Sequence, residues 1–126
     1  MRNPRRERWT SVADPSMNRW NIPAWLENEV RERDRCCVYC RVDLSTPSVN
    51  RRERPSWEHI INDARIITSQ NIARCCIGCN ASKGAKNLAE WLESKYCRTR
   101  GITRESVASV VRAVLEENAQ SCSARA

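Results

Sequence analysis

At 126 residues the chain is bounded to one domain with tails, large enough for a modest core that benefits from a staple. With 40% hydrophobic residues and no Phe, that core must be filled by Trp, Leu, Ile and Val. The excess of 22 Lys+Arg over 15 Asp+Glu, a net +7, favours a polyanionic partner, although a solvated basic surface gives the same count. No apolar run resembles a signal peptide or a membrane span, and the eight cysteines fall partly into metal-type pairs. Both points argue against a secreted disulfide scaffold and for a reducing, cytoplasmic setting.

Residues 1–20 read as a basic N-terminal arm, with four Arg among the first eight residues and Trp9 or Trp20 available to dock on the body. A nucleic-acid-binding arm and a disordered terminus are both compatible with that composition. A helix is expected from about Pro23 to Asp34, with Asn21 as cap, Pro23 in the first turn, and Trp25, Leu26 and Val30 as its apolar stripe. Arg31, Arg33 and Arg35 then crowd the approach to Cys37-Val-Tyr-Cys40, a tight metal-binding turn.

Residues 41–56 form a polar loop whose tip carries Arg51, Arg52 and Arg54. Trp57–Ile61 reads as a short strand, Asn62-Asp63 as a turn, and 65–68 as a second extended piece. The segment from Asn71 to Cys76 is extended or helical; periodicity does not choose between them. A short helix from Ile77 to about Lys83 should end near Gly84. Leu88, Trp91, Leu92 and Tyr96 mark a helix over roughly 87–97, and Gly101 breaks the chain. Thr103 is expected to cap a last helix carrying Val107, Val110, Val111, Val114 and Leu115, which ends near Asn118 before a frayed tail. The domain proper is therefore 21–98, with 99–126 packing on it as a C-terminal helix and tail.

Cys37, Cys40, Cys76 and Cys79 make a four-thiolate set of the structural-zinc type, in which protein fills every coordination position and substrate has none. Cys36 and Cys75 abut these pairs; the C-x-x-C spacing selects the 37/40 and 76/79 register. Cys97 and Cys122 are spare, Cys97 as a small buried hydrophobe.

The only histidine, His59, follows Glu58, and Asn71 and Asn80 lie downstream. Phosphodiester hydrolysis needs an activated water and positive charge at the phosphate, and a neutral imidazole can serve as the base. Adjacent strand residues point to opposite faces, so Glu58 and His59 suit a ligand and a base arriving from different directions. One histidine excludes a His-rich transition-metal cage. Oxygen donors from Glu58 and Asn80 suit Mg²⁺ or Mn²⁺ instead.

The segments R-D-R-C-C-V-Y-C at 33–40, E-H-I-I at 58–61 and N-I-A-R-C-C-I-G-C-N-A-S-K-G at 71–84 together resemble an HNH endonuclease. The resemblance covers roughly residues 30–95. It implies an α+β fold: a small ββα-metal (His-Me finger) core with a short two-stranded β-hairpin, zinc-clamped by two C-x-x-C knuckles and flanked by helices on both sides. By that likeness His59 is the general base, Glu58 and Asn80 hold the catalytic Mg²⁺ or Mn²⁺, and Asn71 braces the loop and orients the histidine. Lys83 falls where a helix-borne cation meets the DNA backbone. The position before the histidine is more usually Asp; Glu58 is one methylene longer. Arg51, Arg52, Arg54, Arg65 and Arg74 are further phosphate-contact candidates. The expected activity is metal-dependent hydrolysis of DNA, of which the double-stranded form is the expected partner, leaving 5′ phosphates. A non-catalytic zinc-ribbon nucleic-acid-binding module shares the charge and cysteines without needing His59. A protein-interaction domain docking through the Val-rich helix is the other alternative.

Overall fold

The computed structural model describes residue 18 and residues 20–125. The expectations for the arm before Asn18, including Trp9, and for the Cys122 side chain lie outside what is described. Among the described residues the fold is a small α+β arrangement of one two-stranded antiparallel sheet and five α-helices.

The first helix, α1 (Ala24–Arg33), begins at Pro23, whose extended backbone (φ −67°, ψ 153°) makes it the N-cap. Asn21 is not the cap; it adopts φ 62° in a turn. Asn18 organises that turn, its Oδ1 accepting the N–H groups of Trp20 and Ile22 and its Nδ2 donating to Glu27 at 2.8 Å. The buried stripe is Ile22, Leu26 and Val30, at an i, i+4, i+8 spacing. Trp25, expected on that stripe, is 65% exposed.

Strand β1 (Pro55–His59) follows a single 3₁₀ turn at Arg51–Glu53 and pairs with β2 (Ile72–Cys76), Glu58 opposite Ala73 and His59 opposite Ile72. Extension therefore wins at 72–76, which the sequence left open. No strand forms at 65–68; that stretch is a loop, pinned by Asn71. Helix α2 (Ile77–Lys83) follows β2 directly, capped by Cys76 and closed at Gly84, whose φ of 50° and ψ of −130° suit glycine.

The helix expected over 87–97 is two. α3 (Leu88–Leu92) is capped by Asn87, and α4 (Lys95–Arg100) by Ser94, which accepts the Cys97 N–H and starts a new axis. Gly101 ends α4 in the left-handed conformation, φ 70°. The last helix, α5 (Ser109–Arg125), starts later than expected and continues past Asn118. Thr103 caps a tight turn instead. The N–H of Thr103 donates to Ser106 Oγ and the N–H of Ser106 donates back to Thr103 Oγ1, a reciprocal cap that closes a single turn ahead of α5.

The hairpin has a core on each face. Ala73, Cys75 and Ile60 join Val38, Tyr39, Trp91, Val107, Val111, Val114 and Leu115 on one side, so the C-terminal helix belongs to the same core as the first knuckle. Ile72 and Trp57 meet Ile22, Leu26 and Val30 of α1 on the other. None of the helices among the described residues is long and apolar enough to cross a membrane.

Candidate functional site

The two C-x-x-C turns converge. The sulfurs of Cys37, Cys40, Cys76 and Cys79 all lie within 4.8 Å of one another, with Cys40 and Cys76 at 3.7 Å. A tetrahedral zinc with bonds of about 2.3 Å requires sulfurs about 3.8 Å apart, so the set fits the ion. The backbone supports it: the N–H groups of Tyr39 and Cys40 point at Cys37 Sγ, and that of Cys79 points at Cys76 Sγ, each at 3.4 Å. The Tyr96 hydroxyl donates to Cys79 Sγ at 3.4 Å. Such N–H···S and O–H···S bonds stabilise thiolates. Hydrogen bonding from Cys40 holds Cys37 down at about 7, and Cys76 is lowered by its sulfur neighbours, while Cys40 and Cys79 are raised. Four sulfurs this close cannot all ionise without a cation between them. Gly78 inside the second knuckle sits in a tight space: a Cβ there would meet Tyr96 Oη at 3.3 Å and Arg52 at 3.4 Å. Cys75 Sγ lies 3.6 Å from Ser56 Oγ and is not among the converging sulfurs, which are those of the 37/40 and 76/79 register. Cys97 is buried, as expected of a small hydrophobe.

Glu58 lies on the zinc side of the hairpin, 6% exposed. Its Oε2 accepts the Tyr39 hydroxyl at 2.6 Å, and Lys83 Nζ stands 3.1 Å away. The lysine's approach is too oblique for a hydrogen bond, so the contact is an ion pair. Burial pushes the Glu58 carboxyl up from its ordinary range, and the Lys83 charge and Tyr39 hydroxyl oppose that. Burial and the same carboxylate push Tyr39 well up. Lys83, expected on the DNA side, is 1% exposed and faces inward, out of reach of a nucleic-acid backbone. Helical periodicity contains the missed signal: Lys83 is four residues beyond Cys79, on the same inward face of α2. Tyr39, inside the first knuckle, was also missed; its neighbouring cysteines fix where its ring goes.

This placement bears on the catalytic ion. Direct coordination by Glu58 does not fit, because the carboxylate is enclosed and already faces an ammonium and a hydroxyl. Among the described residues the only cluster of His, Cys, Asp or Glu close enough to hold a metal is the cysteine set.

Asn80 reaches β1 from α2, its Nδ2 donating to Ser56 Oγ and to the Trp57 carbonyl, both at 3.0 Å. Asn71 is buried and ties the loop that leaves His59. Its Oδ1 accepts the Ile61 N–H at 2.7 Å, and its Nδ2 donates to the carbonyls of Ile61 and Ile66. His59 ends β1 on the opposite face from Glu58, half-buried, with the Trp20 ring edge-on at 6.0 Å between centroids. Its Nε2 is enclosed and makes no hydrogen bond to a described residue. Burial lowers its pKa below 6.5; Asp63 opposes this and Lys83 adds to it, so the imidazole is neutral near pH 7. Trp20 was placed in the arm by sequence; the Asn18 turn brings it to the histidine.

The remaining cations divide into two groups. Arg51, Arg52 and Arg54 are exposed around the 3₁₀ turn beside the second knuckle, and Arg65 is closed onto Asp63 at 2.9 Å, which holds that carboxyl at about 2. Arg74 lies on the His59 face, its guanidinium 4.9 Å from the centre of the Trp57 ring, with Arg31 at 5.2 Å from the same ring. No protein-family model, no curated protein and no solved structure matches this chain.

Proposed function

We propose that the chain is a zinc-clamped endonuclease of the HNH type that hydrolyses DNA phosphodiester bonds, with His59 as general base. The observation that carries this reading is the pairing of an unpartnered, neutral imidazole at the end of β1 with a buried asparagine whose whole side chain is spent on the loop leaving that histidine. A buried nitrogen without a partner costs about 1–3 kcal/mol, which a purely structural histidine would avoid.

In this reading His59 accepts a proton from water, the water oxygen bonds to phosphorus, the P–O3′ bond breaks, and the leaving 3′ oxygen takes a proton from a solvent water. The products are a 5′ phosphate and a 3′ hydroxyl. Asn71 keeps the strand end and the imidazole in place. Asn80 ties α2 to β1 within two residues of the base. Zinc would be held by the four cysteines and supply structure, clamping the first knuckle to the β2–α2 corner. Mg²⁺ or Mn²⁺ would supply charge at the leaving oxygen, but Glu58 is not free to hold it directly. The cations that the chain itself brings to this face are arginines.

A plasmid-nicking assay in Mg²⁺, Mn²⁺ and chelator, comparing wild type with His59→Ala at equal zinc content, tests the proposal. Loss of cutting in the variant is expected; equal cutting by both proteins removes His59 as the base. The Glu58–Lys83 ion pair favours a second reading, a non-catalytic zinc module that binds nucleic acid, because it closes the carboxylate a catalytic ion would use. Absence of cutting by wild type in every metal, with DNA binding intact, selects that second reading.

A further inference from the structure

Two clefts lie between the end of α1, the first knuckle, β2 and the start of α5. One of about 400 Å³ is lined by Arg33, Arg35, Arg41 and Arg112; another of about 260 Å³ by Arg31, Arg35 and Arg74. They share Asp34 and Arg35, so they form one trough with six arginines along it. Its acid, Asp34, is already neutralised. Arg33 donates to both carboxylate oxygens at 2.7 Å, and the Arg74 N–H donates to Oδ2. Arg31 stands 3.9 Å from Glu27, which leaves four guanidinium charges, those of Arg35, Arg41, Arg74 and Arg112, lining the trough without a carboxylate.

Several of these arginines are held in place by the backbone. Arg112 donates to the carbonyls of Glu105 and Val107, and Arg41 to that of Cys37. Arg31 and Arg74 flank the Trp57 ring, and the Nε of Arg74 is buried without a partner. The Arg35 carbonyl accepts the Leu44 N–H at 2.8 Å, while its side chain makes no ion pair or hydrogen bond among the described residues. Positioned guanidiniums with spare donors suit phosphate oxygens, which accept paired N–H bonds. The trough also leads to the candidate base: Arg33 donates to the carbonyl of Ile72, the residue paired with His59.

We infer that this arginine trough is the seat of the nucleic-acid backbone, with Arg35, Arg41 and Arg112 as phosphate contacts that the 51–54 loop does not provide. The inference rests on the nucleic-acid part of the proposed function and not on catalysis. Each phosphate neutralised on duplex DNA contributes about −0.9 to the slope of log affinity against log salt.

The test is fluorescence anisotropy with a labelled duplex of about 20 base pairs across 50–200 mM salt. It compares wild type, the trough variant R35Q/R41Q/R112Q, the loop variant R51Q/R52Q/R54Q and His59→Ala, with zinc content as the folding check. The trough variant should bind about tenfold or more weakly, with a salt slope shallower by about 2–3; the loop variant should change little. Arg35→Gln alone, which breaks no side-chain hydrogen bond or ion pair, should flatten the slope by about 1 and decides the matter if the triple variant loses zinc. Wild-type binding by Arg35→Gln and the trough variant overturns the inference, as does a larger loss in the loop variant. His59→Ala should bind as wild type. If it also cuts as wild type while the trough variant loses binding, the nuclease reading fails and the trough stands. If the trough variant binds and cuts normally while His59→Ala does not cut, the reverse holds.

Discussion

The two faces of the β1–β2 hairpin treat charge in opposite ways. On the zinc side, Glu58 is enclosed with Lys83 and Tyr39, and four sulfurs converge a few residues away. On the other side, Trp57 lies between two guanidiniums, His59 keeps an unpartnered nitrogen, and the Arg31–Arg74 end of the arginine trough begins. A strand of five residues thus alternates between groups that hold the fold and groups free to meet a ligand, because successive side chains point to opposite faces. The comparison also shows why charge type alone is a poor guide to function here: the most deeply buried cation, Lys83, is the one that sequence placed against DNA.

Removing the metal should break the zinc side most severely. Structural zinc in small domains stabilises the fold by on the order of 10 kcal/mol, so a strong chelator or Cys76→Ser should abolish cooperative thermal unfolding. A chelated protein that still melts cooperatively at an unchanged temperature would mean that the sulfurs need no ion.

The next largest effect separates the strut from a DNA contact. Lys83→Met leaves Glu58 buried and uncompensated, which costs about 3–5 kcal/mol, and Glu58→Gln added to it should recover part of that loss. Urea unfolding measures both. A variant of full stability but weakened DNA affinity would return Lys83 to the role that its sequence position suggested.

Legibility from sequence follows the same division. The zinc set was readable because two intervening residues suffice to turn a chain back onto one ion, whatever surrounds it. The stripe Val107, Val111, Val114 and Leu115 was readable because it repeats at helical spacing. The start of α5 was not: the reciprocal Thr103–Ser106 cap, a helix-start signal, closes only one turn, and α5 begins at Ser109. The split between α3 and α4 turned on Ser94 accepting a backbone N–H, which a run of helix formers does not announce. Trp25 misled because a large apolar side chain three or four positions from another reads as core. Burial was decided by the register of α1 against Ile72 and Trp57. The trough was partly legible in the crowding of Arg31, Arg33 and Arg35. The contributions of Arg41 and Arg112 depend on α5 meeting the first knuckle, where the Ala108 N–H donates to the Val38 carbonyl.

Asn71 is a smaller lever, on the loop that leaves His59. Asn71→Ala removes three hydrogen bonds and deprives the Ile61 N–H of its acceptor, costing about 1–3 kcal/mol. If the side chain serves the loop leaving His59, hydrogen exchange at Ile61 and neighbouring amides should accelerate more than exchange in α5. Uniform acceleration across the chain would make Asn71 a general core residue.

The smallest effect is the most diagnostic for His59. Its folded pKa lies below the unfolded value of 6.5, chiefly through burial, with Lys83 adding to the depression and Asp63 opposing it. The unfolded chain therefore binds a proton at a higher pH than the folded chain does. Stability should fall as pH drops from above 6.5 to the folded pKa and should then receive no further contribution from this group. His59→Gln should flatten that segment of the profile, measured by urea unfolding between pH 5 and 7.5. Under the proposed function, cutting should persist to a pH below 6.5, because the base stays neutral there. An acid limb above pH 6.5 would require a base other than this imidazole, or a folded state in which Asp63 outweighs burial.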